Sequence, residues 1–144
     1  MMMIMMERIN IACTTENLKE VRKFVNSTLS KLHIPENEIN LIVLAVDEIC
    51  ANRIIHSNKS DKNNQLEVEI SDKSEGLEFN IKDTGEFYDN TIQDDPSIPS
   101  LIKEKRKGGI GLMLVRRIMD SIEVKKEEPY TTYTLFKKLN ISHA

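Results

Sequence analysis

Cysteine is nearly absent from this chain, which has only Cys13 and Cys50. A disulfide-stapled scaffold is excluded, because such scaffolds are dense in paired cysteines. Cys50 lies in an apolar stretch and reads as a small core residue. Neither cysteine falls in a metal-ligand spacing. An excess of positive charge is missing as well: 20 Lys and Arg face 23 Asp and Glu, for a net charge of −3. That balance argues against direct nucleic-acid binding. No apolar run approaches the roughly 20 residues needed to span a bilayer, so no membrane segment is expected. The start, Met1 to Met6, is apolar but short, has no basic leader and runs into Glu7. It reads as a frayed end or first strand rather than a signal peptide. No internal repeat is visible. What remains is a cytoplasmic globular protein, and 144 residues suffice for one domain, 1–144, with its own core.

The apolar residues that are present divide the chain. Arg8 to Ala12 suits an edge strand. Thr14 or Thr15 offers an N-cap for a helix to about Leu32, with Leu18, Val21, Phe24, Val25, Leu29 and Leu32 at helical spacing. His33-Ile34-Pro35 breaks that helix, and Pro35 suits the opening of a second, Glu36 to His56. Ser57 to Asn64 is a polar loop. Leu66-Val68-Ile70 and Leu77-Phe79-Ile81 each alternate with polar residues. They predict a hairpin turning at Asp72 to Gly76, with Asp83 at its end. Gly85 to Lys107 shows no sustained period and holds Pro96, Pro99 and a run of charges. Such long irregular segments are often functional lids. Gly108-Gly109-Ile110-Gly111 then leads into a third helix, and further strands begin at Ile122 and Thr131. Strands come in pairs rather than alternating with helices. The expected fold is therefore α+β, a two-layer sandwich with a mostly antiparallel sheet.

Three separated pieces carry chemistry. Glu48, Asn52 and His56 recur every fourth residue of the second helix. At about 3.6 residues per turn, each step of four drifts only about 40°, so they form one slanted stripe. Leu44, Ala45 and Ala51 lie beside Glu48, and a carboxylate among such groups is costly unless paired, solvated or used. The second piece is Asp83-Thr84-Gly85. A strand-end carboxylate there suits an exocyclic amine such as that of adenine, and the glycine lets a base approach the backbone. The third is the glycine turn at 108–111, whose backbone N–H groups and helix dipole favour phosphate. Lys103, Lys105, Arg106 and Lys107 precede it. Taken singly, each piece has a plainer reading: a polar seam, a turn, a flexible loop end, a solvated charged face. His56 alone reads as a cap or a packing group. Their order and spacing together favour a nucleotide site.

With these residues in view, the chain resembles a known group. Glu48-x-x-x-Asn52-x-x-x-His56 is similar to the N-box of the ATPase superfamily that includes DNA gyrase, histidine kinases and MutL. Asp83-x-Gly85 resembles its G1 box, and Gly109-x-Gly111-Leu112 its G2 box, with an ATP lid at about 86–108. The nearest likeness is to the single-domain anti-sigma-factor serine kinases, whose G1 box commonly reads D-x-G-x-x-F-D. Here the segment is Asp83-Thr84-Gly85-Glu86-Phe87-Tyr88-Asp89.

The resemblance implies the Bergerat fold, with helices on one face of a mixed, mostly antiparallel sheet, and it implies ATP and Mg2+ as cofactors. Glu48 would be the general base toward a partner's serine, and Asn52 the Mg2+ ligand. Asp83 and Gly85 would hold the adenine. Lys107, Gly109, Gly111 and Leu112 would line the phosphate end. The implied partners are an anti-anti-sigma protein as serine substrate, a sigma factor, and a second copy in a homodimer. A non-catalytic ATP-binding partner-switch module would use the same boxes, and a purely structural α+β interaction domain would use the glycines for turns alone. Two departures stand out. Lys107 sits where the family often has arginine, and Asn58 where it usually has an aromatic residue.

Overall fold

The computed structural model describes residues 6–86 and 109–139. Five strands form one sheet in the order β1-β2-β3-β5-β4. They are β1 (Met6–Ala12), β2 (Gln65–Lys73), β3 (Gly76–Asp83), β4 (Ser121–Glu127) and β5 (Tyr130–Lys138). Three α-helices accompany them: α1 (Leu18–Ser30), α2 (Glu36–Asn52) and α3 (Gly109–Ile118). The α+β expectation holds. Every pairing among the described strands is antiparallel, so the parallel pairing that a mixed sheet allows for does not occur there.

Alternation in the sequence becomes two chemically different faces. The register aligns Ile9, Val68, Ile81, Tyr133 and Val124 in one row across the sheet, and Ile70, Phe79, Leu135 and Ile122 in the next. These rows join Val21, Val25 and Leu29 of α1 and Ile39, Ile42, Val46 and Ile49 of α2 in one core. Burial of each large aliphatic side chain contributes about 1.5–3 kcal/mol before entropy is counted. A third row on this face runs Ile11, Leu66, Asp83, Thr131. Here the inward positions change from apolar to polar halfway across the sheet. The opposite face carries Glu67, Glu69, Asn80, Lys82 and Thr132. Arg8 bridges Glu67 at 2.8 Å and Glu69 at 2.9 Å, and Lys82 reaches Glu67 at 3.3 Å. Such partly exposed pairs are worth about 0–1 kcal/mol each, but they leave that face polar.

The helix ends differ from the sequence reading in detail. Thr14 opens a single 3-10 turn, Thr15–Asn17, and makes no side-chain cap. Asn17 instead donates its amide to the Ala12 carbonyl at 3.0 Å and to Thr14 Oγ1 at 3.1 Å. These bonds tie β1 to the start of α1. At the other end α1 stops at Ser30, and His33 takes a left-handed φ of 57°. Pro35 stands at the N-cap of α2 as expected.

Candidate functional site

Beyond Asn52 the helix changes pitch. Arg53–Ser57 form one π-helical turn, in which Asn58 N–H donates to the Arg53 carbonyl at 2.9 Å. Such a wide turn shifts every following side chain around the axis. Glu48 and Asn52 stay on one stripe of α2, both half-buried. His56 does not join them: it is exposed, so the expected stripe of three is a stripe of two. The same turn carries Arg53, Ile54 and Ser57 inward, where all three are buried.

Burial pushes the Glu48 carboxyl above its ordinary pKa of 4.5, and the neighbouring charge of Asp47 adds to the rise. Asp47 itself is held by Arg22 of α1 at 2.9 Å. Among the described residues, no hydrogen bond or ion pair engages the side chain of Glu48 or Asn52.

Asp83 is the reverse case. Its carboxylate accepts from Arg53 Nε at 2.8 Å on Oδ2. On Oδ1 it accepts from Arg53 Nη2 at 2.8 Å, Asn58 Nδ2 at 3.0 Å and Gly85 N–H at 2.7 Å. The side chains of Arg53 and Asp83 are 2% and 0% exposed. Arg53 Nη1 also donates to Ser57 Oγ at 2.7 Å, and its guanidinium lies 5.2 Å from the centre of the Tyr133 ring. Burial alone would lower the Arg53 pKa, but the hydrogen bonds and charge of Asp83 outweigh it and hold the cation firmly protonated. Asn58 Nδ2 donates as well to the Arg53 carbonyl at 2.8 Å, and Asn58 Oδ1 accepts from Asn64 at 3.1 Å.

Gly85 closes this network. A Cβ at that position would lie 2.7 Å from Asn58 Nδ2 and 2.8 Å from the Ser57 carbonyl. Glycine therefore lets the strand-end turn pack on the π turn, where Glu86 N–H donates to the Ser57 carbonyl at 3.2 Å. Thr131 Oγ1, across from Asp83, donates to the Gly85 carbonyl at 3.4 Å.

At the third piece, α3 begins at Gly109 itself. Gly109 and Gly111 thus belong to the first helical turn rather than to a loop before it. Leu112 is buried in the core, and α3 packs against α2. Lys107, the basic cluster and all of the expected lid but Glu86 lie outside the described residues.

Four residues in this region were not assigned a site role from the sequence: Arg53, Ser57, Asn58 and Thr131. A signal for the first existed. Arginine is almost never fully buried without a partner, and Arg53 sits directly before Ile54-Ile55 in a helix that must pack. The signal for Asn58 was its departure from the family's aromatic residue.

An antiparallel sheet covered on one face by helices, with polar groups gathered where the central strand meets a helix end, defines a two-layer α+β sandwich with its candidate site at one end of the sheet. The chain belongs to the histidine kinase-like ATPase domain family, whose model matches residues 11–137. It is similar to the serine-protein kinase RsbW of Bacillus subtilis (strain 168), at 29% identity over 124 residues, covering 83% of this chain and 77% of that one. Its fold is similar to the crystal structure of the RsbU and RsbW domains of a Mycobacterium tuberculosis protein. The TM-score is 0.67 at 16% identity over 93% of this chain, which spans 32% of the length of that one.

Proposed function

We propose that this chain is an ATP-dependent protein serine kinase and a regulatory switch of the anti-sigma-factor type. On this reading it sequesters a sigma factor and phosphorylates a serine of an anti-anti-sigma protein. Family membership supports the nucleotide, and the likeness to a serine-protein kinase supports the transfer. The observation that carries the reading is the contrast along one helix. Arg53, Ser57 and Asn58 are tied into a network, whereas Glu48 and Asn52 are half-buried and, among the described residues, untied. A half-buried carboxylate left without a partner is costly unless it is used.

Glu48 is proposed to take the proton from the serine hydroxyl. The serine oxygen bonds to the γ-phosphorus as the bond from that phosphorus to the β–γ bridging oxygen breaks. The raised pKa of Glu48 moves it toward the range where a general base is effective. ATP, when bound, supplies the transferred phosphoryl group. Asn52 offers Mg2+ one neutral oxygen. Among the described residues, no three His, Cys, Asp or Glu converge to hold a metal, so the ion would share its shell with phosphate oxygens and water, as Mg2+ usually does. The first-turn N–H groups from Gly109 to Leu112 suit phosphate, with Lys107 adding charge. These residues suit the triphosphate end.

The base end is different: Asp83, proposed from the resemblance as the adenine contact, already accepts from four internal donors. The alternative, a partner-switch module that binds nucleotide but transfers nothing, would use the same residues. A homodimer is part of either reading, formed through the outer edge of β1.

Calorimetry with Mg·ATP tests the site. The wild type is expected to bind, and Asn52→Ala to bind at least about tenfold more weakly, a difference that vanishes when Mg2+ is chelated. Absence of Mg·ATP binding by the folded wild type would remove the nucleotide reading.

A further inference from the structure

The Arg53–Asp83 pair sits where adenine recognition would need an open acceptor. An ionised carboxylate offers about four acceptor positions. Four N–H donors occupy it here, Arg53 Nη2, Asn58 and Gly85 on Oδ1 and Arg53 Nε on Oδ2, and the Asp83 side chain is 0% exposed. A base amine could reach this carboxylate only if one of them withdrew.

The donors differ in how freely they could do so. Gly85 N–H is backbone, two residues from Asp83 and wedged against the π turn. Asn58 is anchored at both ends of its amide, to the Arg53 carbonyl and to Asn64. The Arg53 guanidinium stands on a long side chain and keeps contacts that do not involve Asp83, with Ser57 Oγ and the Tyr133 ring. It is also the only one of the three residues with a charge, so its departure costs the most in electrostatics. The group best able to move is therefore the one held most strongly.

Resting on the nucleotide reading above, we infer that Arg53 determines base specificity in this site. It is an internal cation occupying the carboxylate that would otherwise read an exocyclic amine. Wild-type protein then binds nucleoside triphosphates chiefly through their phosphates and discriminates poorly between bases. The chemistry of the bases makes this measurable. Adenine presents an amine donor where guanine presents a carbonyl acceptor. A free carboxylate attracts the first and repels the second, whereas one filled by a guanidinium does neither.

The test is calorimetry of the full chain with Mg·ATP and with Mg·GTP, for the wild type, Arg53→Met and Arg53→Lys. Lysine keeps a positive charge on Asp83 but gives up the two-pronged grip, so Arg53→Lys decides the matter if Arg53→Met does not fold. Wild type is expected to bind the two triphosphates with similar affinity. Arg53→Met is expected to gain about tenfold for ATP with no gain for GTP, because less of the population is held in a closed form. Arg53→Lys should move part of the way. An ATP-to-GTP preference unchanged in the variants overturns the inference while leaving the nucleotide site standing. Failure of all three folded proteins to bind either triphosphate removes both.

Discussion

Arg53 and Asp83 form an ion pair buried on both sides. Removing two charges from water costs several kcal/mol per ion, and here a two-pronged guanidinium with further donors from Asn58 and Gly85 offsets that. Glu48 shows the opposite arrangement, a carboxyl whose ionisation the fold resists with no compensating partner among the described residues. Its folded-state pKa lies above the unfolded value, so the native state holds that proton more tightly. This contribution favours folding below the unfolded pKa and is lost as pH rises through the folded one. Glu48→Gln is therefore expected to melt slightly higher than wild type at pH 7, by about 2 °C, with the difference shrinking toward pH 4. A lower melting temperature at pH 7 would mean that the carboxylate has a stabilising partner. At this scale the sequence was half legible. Glu48, Asn52, Asp83 and Gly85 stood out by spacing. Arg53 did not, because periodicity registers a residue's own helix and not a partner 30 residues away.

The strands were the most legible elements, since alternation records a buried face directly. Both thiols follow the same logic. Cys13 and Cys50 are buried and free, and burial, with the Asp83 charge adding to it, pushes the Cys13 thiol up to about 11. The π turn was hidden for a definite reason. It adds a residue to one helical turn without altering the apolar pattern before it, and so it displaces His56 while leaving Glu48 and Asn52 aligned. The start of α3 was hidden because glycine carries no side-chain pattern. One glycine outside the boxes has a clear structural task. At the start of β3, a Cβ on Gly76 would collide with the Lys137 carbonyl of β5, next to its register partner Lys138. Gly76→Ala is expected to lose about 1–3 kcal/mol in urea denaturation, the usual penalty for overpacking. A loss below about 0.5 kcal/mol, the range of neutral surface changes, would show that the two strands separate there at little cost.

Across the whole molecule, the sheet order puts β3 in the centre, so its last residue, Asp83, is reached from both neighbouring strands and from the end of α2. That convergence makes a site possible where the sequence shows only a hairpin end. The two sheet edges are β1 and β4. An open edge is a template for pairing with another chain, and Met6 at the start of β1 is 58% exposed. Light scattering is expected to give twice the chain mass at micromolar concentration; a monomer at high concentration contradicts pairing through β1. Phosphoryl transfer with Glu48 as base is tested by mass spectrometry of a cognate anti-anti-sigma protein after incubation with Mg·ATP and either wild type or Glu48→Gln. Phosphoserine should form with wild type. Glu48→Gln should bind Mg·ATP equally well and transfer at least about a hundredfold more slowly. Transfer at the wild-type rate by Glu48→Gln, or no phosphoserine with wild type, would contradict it.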